Sequence, residues 1–303
     1  MNGTAPPAPP ATSPRGLIAR RVRGIVLVTH PLPSLAYVIA VGGFAVVAAL
    51  AARRGLDAGT LLRVLLAVAG AQAAIGATND LFDLPLDAAS QPGKPLVRGL
   101  ITPDHALLVA LVGSAALLLL IAPLGLLALA LGLLIEGLGL AYDFGLKRTP
   151  WSGLLFAVYF PLIPLLAWAV FGRWQPFLPW LVPVGAALGI TMNVANSLPD
   201  LEGDVAHGVR GLPHLLGPRR GLLVAWITPL AVAALLWLLN LTGLVPAHVL
   251  DLGLATGFAL LSVASAYLLY QARPTPETLR TTFYIQMLGV VAMAIAWLAA
   301  VAF

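Results

Sequence analysis

Asn79-Asp80-Leu81-Phe82-Asp83-Leu84-Pro85-Leu86-Asp87 closes one long apolar stretch, and Asn196-Ser197-Leu198-Pro199-Asp200-Leu201-Glu202-Gly203-Asp204 closes another. Both windows read N-x-x-x-D-x-x-x-D, 117 residues apart, and they hold six of the chain's twelve acidic residues. Residues four apart share a helix face, so each window is expected to set an amide and two carboxylates in a row. Like charges at that spacing repel. A chain that builds this repulsion twice, beside apolar helices, is expected to hold cations there.

The surroundings of the windows set the class of protein. Hydrophobic residues make up 60% of the chain and charged ones 10%, with a mean hydropathy of +0.95, against about 25% charged residues in a soluble domain. Apolar stretches of about 20 residues, enough to cross a hydrocarbon core of about 30 Å, recur along the sequence. Nine spans are predicted, near 31–52, 60–79, 104–122, 124–142, 151–171, 177–197, 219–241, 246–270 and 281–303. The chain reads as an all-α integral membrane protein.

Basic residues orient it. With the N-terminus cytoplasmic, the N-terminal segment and the even connections carry thirteen of the seventeen Lys and Arg. That is the positive-inside pattern, and it puts both windows on the cytoplasmic face, in the cell membrane if the source is prokaryotic. The Pro- and Ala-rich residues 1–16 are expected to be a disordered tail, and 17–303 a single membrane domain. Residues 17–29 mix basic and apolar positions, as in a helix lying on a membrane surface. There is no cysteine, which excludes disulfides, thiolate metal sites and thiol catalysis. The basic balance follows from topology and anionic lipid rather than from binding nucleic acid.

Each window follows an even-numbered span, so the two halves are expected to run parallel: spans one to four and five to eight as pseudo-symmetric four-helix halves, the ninth an extra helix. The windows would then face each other across a central cavity open to the cytoplasmic side. Mg²⁺ takes oxygen ligands in an octahedron and is commonly shared between carboxylates and a substrate phosphate. Asp80, Asp83, Asp87, Asp200 and Asp204 are therefore the predicted metal ligands, for about two ions, with Mn²⁺ a substitute. Asn79 and Asn196 accompany them, and Lys94, Arg98, Lys147, Arg148 and Arg210 are placed to bind phosphate oxygens. Such a site stabilises the charge on a departing diphosphate, while an apolar bundle shields the allylic cation left behind. The residues thus argue for Mg²⁺-dependent ionisation of a lipid diphosphate.

Asn79-Asp80-x-x-Asp83-x-x-x-Asp87, Lys94-Pro95-Leu96-x-x-Gly99, Tyr142 through Lys147, and Asp200-x-x-x-Asp204 with Gly208-x-Arg210-x-Leu212-Pro213 resemble the signature of the UbiA superfamily of membrane prenyltransferases over residues 20–303. The resemblance implies nine transmembrane helices and transfer of a prenyl group from an isoprenyl diphosphate to an acceptor, aromatic or lipid. It implies Mg²⁺ and diphosphate at Asn79, Asp80, Asp83, Asp87, Asn196, Asp200 and Asp204, phosphate at Lys94, Lys147 and Arg210, and Tyr142 at the reaction centre. Two positions depart from the pattern. His30 precedes Pro31 where many members have Arg or Lys, and Asp143 adds a charge that reads as a plain loop residue. Both departures weigh against a carboxylated aromatic acceptor. A terpene cyclase on the same scaffold is the alternative. An ion or phosphate transporter fits less well, because only Glu136 lies inside a span.

Overall fold

The structure is a computed structural model that describes residues 14–206 and 208–303. The tail expected over residues 1–16 therefore lies outside the described residues except at its end, where Pro14 opens a helix, α1 (Pro14–Val28). The next elements are α2 (Pro31–Ala51), α3 (Ala58–Phe82), the short α4 (Leu84–Ser90), α5 (Pro103–Ile121) and α6 (Leu126–Asp143). The second half repeats that order of two long, one short and two long helices: α7 (Ser152–Phe171), α8 (Leu181–Ser197), α9 (Leu201–Ala206), α10 (Leu212–Leu241) and α11 (Val249–Ala272). A final helix, α12 (Pro276–Ala302), has no counterpart. Among the described residues, nine helices are long and apolar enough to cross a membrane, and they fall on the nine predicted spans. The fold is therefore that of a multi-pass integral membrane protein, built as two four-helix halves plus one helix.

Local chemistry sets several of the boundaries. Proline, which has no N–H to leave unpaired, opens α2, α5 and α12. Thr102 and Thr275 cap α5 and α12 by accepting from His105 N and Thr278 N. Gly217, at φ 72°, breaks α10 ahead of Pro218, so its membrane portion begins near the residue expected from the sequence. The outer faces carry large apolar side chains in the open, Leu119 at 70% and Leu268 at 65% exposure among them. Such a surface is stable against lipid and not against water.

Helices so apolar gain little from burying one another in lipid, so close approach of backbones must hold them. Gly70 of α3 and Gly113 of α5 meet face to face, and a Cβ on Gly113 would strike the Gly70 carbonyl and stand 3.0 Å from Ala74 N. Gly185 and Gly189 of α8 ride in the same way on the backbone of α7 at Pro161 and Phe156. Gly113→Val is expected to cost about 1–3 kcal/mol by overpacking, read as a lower unfolding temperature in detergent. Gly137→Ala, where a Cβ meets nothing within 4 Å, is the control. An equal effect of the two would refute the contact.

Candidate active site

The windows are not continuous helix. In the first, α3 ends at Phe82, Asp83 takes φ −89° and ψ 0°, and Pro85 sits in the first turn of α4. In the second, α8 ends at Ser197 and Leu198–Asp200 is a 3-10 turn around Pro199 before α9. The spacing survives the first break because Asp83 N donates to Asn79 O at 2.9 Å and Asp87 N to Asp83 O at 2.7 Å. Each proline removes one donor and bends the chain over the end of the bundle.

Both windows open on one cavity of about 950 Å³, lined by α2, α3, α6, α7, α8 and α12. Asn79, Asp80, Asp83, Asp87, Lys94, Tyr142, Lys147, Arg148, Asn196, Asp200 and Asp204 all line it. Arg98 and Arg210 do not, and both are exposed. These two expectations are corrected by the backbone. Arg210 contributes its N–H, which donates to Arg148 O at 3.0 Å and docks the 208–212 segment against Lys147–Arg148. Arg98 contributes its carbonyl, which accepts from Arg20 at 3.2 Å. In both cases the side chain is left in solvent.

The carboxylates of the first window meet cations of the protein itself. Lys94 Nζ stands 2.9 Å from Asp80 Oδ1 and 2.8 Å from Asp87 Oδ2, with Asn79 Oδ1 at 3.3 Å. Lys147 pairs with Asp83, and Arg148 reaches the same carboxylate at 3.3 Å. The repulsion read from the sequence is thus relieved first by side chains, and the lysines assigned to phosphate also bridge the assigned metal ligands. Burial alone would lower the Lys94 ammonium, but Asp80 and Asp87 outweigh it and hold the group above the ordinary lysine range. Burial raises the Asp87 carboxyl, with Asp83 and Asp80 adding to the rise and Lys94 opposing it.

Four lining groups carry roles that sequence reasoning missed. His30 Nε2 contacts Asp80 Oδ1 at 2.8 Å, and its backbone at φ 50° is left-handed, a sparsely populated conformation for a non-glycine residue. Gly76 allows this approach, since a Cβ there would lie 3.2 Å from the His30 ring. Asp143 is no loop charge: it is 3% exposed and accepts from Asn79 Nδ2 at 2.8 Å. Its i, i+4 spacing to Lys147, 3.5 Å away, was the available signal. His214 stands 3.5 Å from Asp204, and Arg280 of α12 donates to Asp200 Oδ1 at 2.8 Å. The Arg280–Asp200 pairing joins residues 80 apart and leaves no local trace. Glu136 is buried but outside the cavity, accepting from Ser114 of the neighbouring α5.

Tyr142 is set by a relay that spans four elements. Leu212 N donates to Ser152 Oγ at 2.9 Å, Ser152 Oγ to Asn193 Oδ1 at 3.4 Å, and Asn193 Nδ2 reaches Tyr142 Oη at 3.5 Å. The Tyr142 ring then meets Phe156 edge-on with centroids 5.2 Å apart, and Phe156 stacks on Phe160 at 5.9 Å. The wall below the windows is therefore aromatic and apolar.

The donor set fits Mg²⁺. The lining side chains include six carboxylates against four permanent cations, Lys94, Lys147, Arg148 and Arg280. Asp80 Oδ2 and Asp143 Oδ2 are buried without a hydrogen-bond partner, a costly arrangement unless a hard cation uses them. Among the described residues no three such groups form a ready-made chelate, consistent with an ion that completes its shell from water and substrate oxygens.

Such a fold and site define a class: membrane-embedded helical enzymes that bind an anionic, lipid-tailed substrate between paired carboxylate motifs. The UbiA prenyltransferase family model matches residues 37–290. Digeranylgeranylglyceryl phosphate synthase of Natronomonas pharaonis is 30% identical over 68% of this chain and 73% of its own length. The synthase of the same name from Methanopyrus kandleri is 31% identical over 72% and 81%. A UbiA homolog from Archaeoglobus fulgidus bound to GPP and Mg²⁺ superposes with a TM-score of 0.70 at 18% identity, covering 91% of this chain and 99% of that one. The chain belongs to the UbiA prenyltransferase family, and it is a membrane prenyltransferase.

Proposed function

We propose that this chain moves a prenyl group from an isoprenyl diphosphate to the hydroxyl of a glycerophosphate-type lipid, on the cytoplasmic face, with two Mg²⁺ ions that Mn²⁺ can replace. The observation that carries the reading is that both windows and an aromatic, apolar wall belong to one cavity. Its site residues are those of the windows with Lys94, Tyr142, Lys147 and Arg148; the placement of Arg98 and Arg210 does not support them. Asp80, Asp83, Asp87, Asp200 and Asp204 would hold the ions, which when bound neutralise the charge growing on the diphosphate.

Charge supports two ions. The permanent lining charges sum to −2, and a prenyl diphosphate adds about three negative charges near neutrality. Two divalent ions bring the assembly close to zero, whereas one leaves several negative charges in a poorly hydrated space. Lys94, Lys147 and Arg148 bind and orient the diphosphate oxygens. The C1–O bond breaks with its electron pair on the diphosphate, the acceptor oxygen bonds to C1, and the hydroxyl proton is released. Phe156 and Phe160 line the cavity and keep water from the allylic carbon.

The glycerophosphate acceptor rests on the two synthases above. The test incubates purified protein with Mg²⁺ and geranylgeranyl diphosphate, adding a prenylglyceryl phosphate, 4-hydroxybenzoate or no acceptor, and weighs the products by mass spectrometry. One prenyl group added to the glyceryl phosphate is expected. Transfer to the aromatic alone would overturn the acceptor, and a hydrocarbon formed without acceptor would make the chain a cyclase.

A further inference from the structure

Three polar side chains sit among the apolar lining of the cavity, away from the carboxylates. Tyr37 of α2, Gln72 of α3 and Tyr159 of α7 share the wall with Ala36, Ile75 and Phe160. Gln72 Nε2 donates to Tyr159 Oη at 2.8 Å, and the Tyr159 ring centroid is 5.9 Å from that of Tyr37. Tyr37 Oη is buried and has no hydrogen-bond partner. A hydroxyl left in that state costs free energy unless something in the cavity bonds it.

Three helices put this cluster at one depth. Tyr37 lies seven residues beyond His30, the partner of Asp80, and Gln72 lies seven before Asn79, which opens the first window. Tyr159 lies seven beyond Ser152, whose Oγ accepts from Leu212 N. Seven residues are two turns, about 10 Å along the axis and back on the same helix face. A diphosphate at the windows runs about four bonds from its outer oxygens to C1, roughly 5 Å in projection. An oxygen poised to attack C1 stands about 3 Å further on. The attacking oxygen therefore falls close to the depth of the cluster.

The bonding capacity of the cluster selects what it receives. Tyr159 accepts from Gln72 and keeps its own proton to donate, while Tyr37 Oη can give or take a bond. An alcohol does both in return. A carboxylate would lack a counter-charge at this depth, because Lys94, Lys147, Arg148 and Arg280 stand against the windows. We propose that Tyr37 and Tyr159 bind the hydroxyl of the acceptor beside C1, with Gln72 a positioning residue that acts through Tyr159. The inference rests on the transferase reading and adds to it the side chains that select an alcohol. Their role is binding and aim, with no proton or bond exchanged.

The test measures binding of a prenylglyceryl phosphate and of its deoxy analogue, which lacks the attacking hydroxyl, by full-length protein with Mg²⁺ and inorganic diphosphate. Wild type is expected to prefer the alcohol by about 10- to 100-fold. Tyr37→Phe is expected to lose most of that preference and to raise the acceptor KM to match. Its affinity for geranylgeranyl diphosphate should stay at the wild-type value, which also reports an intact fold. Gln72→Leu is expected to lower the preference part of the way, again without change at the donor; an unaltered preference there would overturn the positioning role. A preference for the alcohol as large in Tyr37→Phe as in wild type, or a loss shared equally by donor and acceptor, would overturn the proposal. Failure of the transferase reading shows differently, as wild-type protein that forms no ether from the glyceryl phosphate, and it removes this proposal as well.

Discussion

Asp83→Ala is expected to cut turnover by about a thousandfold or more, with the protein still monodisperse in detergent. Asp83 sits at the break between α3 and α4, 7% exposed, where it meets Lys147 and Arg148 from the connection after α6. One substitution therefore removes a hard oxygen from the site and unpins the two cations proposed to bind phosphate. The effect is expected to exceed that of an ordinary surface ion pair, worth about 0–1 kcal/mol, because the carboxylate is buried and its partners are proposed to bind the same substrate. The fold should survive, since Lys147 keeps Asp143 as a neighbour at 3.5 Å and the helices are held by glycine contacts elsewhere. Asp83→Asn keeps the shape without the charge and is expected to be nearly as inactive. Turnover within a few fold of wild type in either variant, measured with saturating Mg²⁺ and prenyl diphosphate, would refute a metal role for this residue.

What the sequence made legible was whatever is local or repeated. Span positions follow from apolar length, and the windows stand out because carboxylates are scarce and their spacing recurs. Lys94, Tyr142 and Lys147 lie within two turns of a window or a span end, so their places could be inferred. The breaks inside the windows were foreshadowed only by Pro85 and Pro199, one proline in each. Arg98 and Arg210 misled because a basic side chain next to a motif suggests charge recognition, whereas the fold uses their backbone atoms. Arg280 could not be read at all. It meets Asp200 from α12, a helix outside the repeat and 80 residues away in sequence.

Lys94→Met is expected to have two separable consequences, because Lys94 pairs with two buried carboxylates and is also proposed to bind the diphosphate. It is only 16% exposed and stands within 2.9 Å of both Asp80 and Asp87. Its removal leaves buried carboxylate charge without a partner, a loss of about 3–5 kcal/mol when nothing compensates. The pH dependence fixes the sign. The Asp87 carboxyl already lies above its ordinary range, and losing Lys94 drives it higher. A carboxyl raised in the folded state binds more protons there than in the unfolded chain. The variant's deficit should therefore be full above the folded pKa, shrink as pH falls through it, and vanish near the unfolded value of about 4. Unfolding temperatures of variant and wild type should thus converge on acidification in metal-free buffer. Mg²⁺ should stabilise the variant more than wild type, since the ion no longer competes with an ammonium for the same oxygens. Prenyl diphosphate binding should nonetheless weaken by about 10- to 100-fold, the loss of one charge-assisted contact worth about 1.5–3 kcal/mol. A stability gap constant across pH, or diphosphate affinity equal to wild type, would confine Lys94 to a single role.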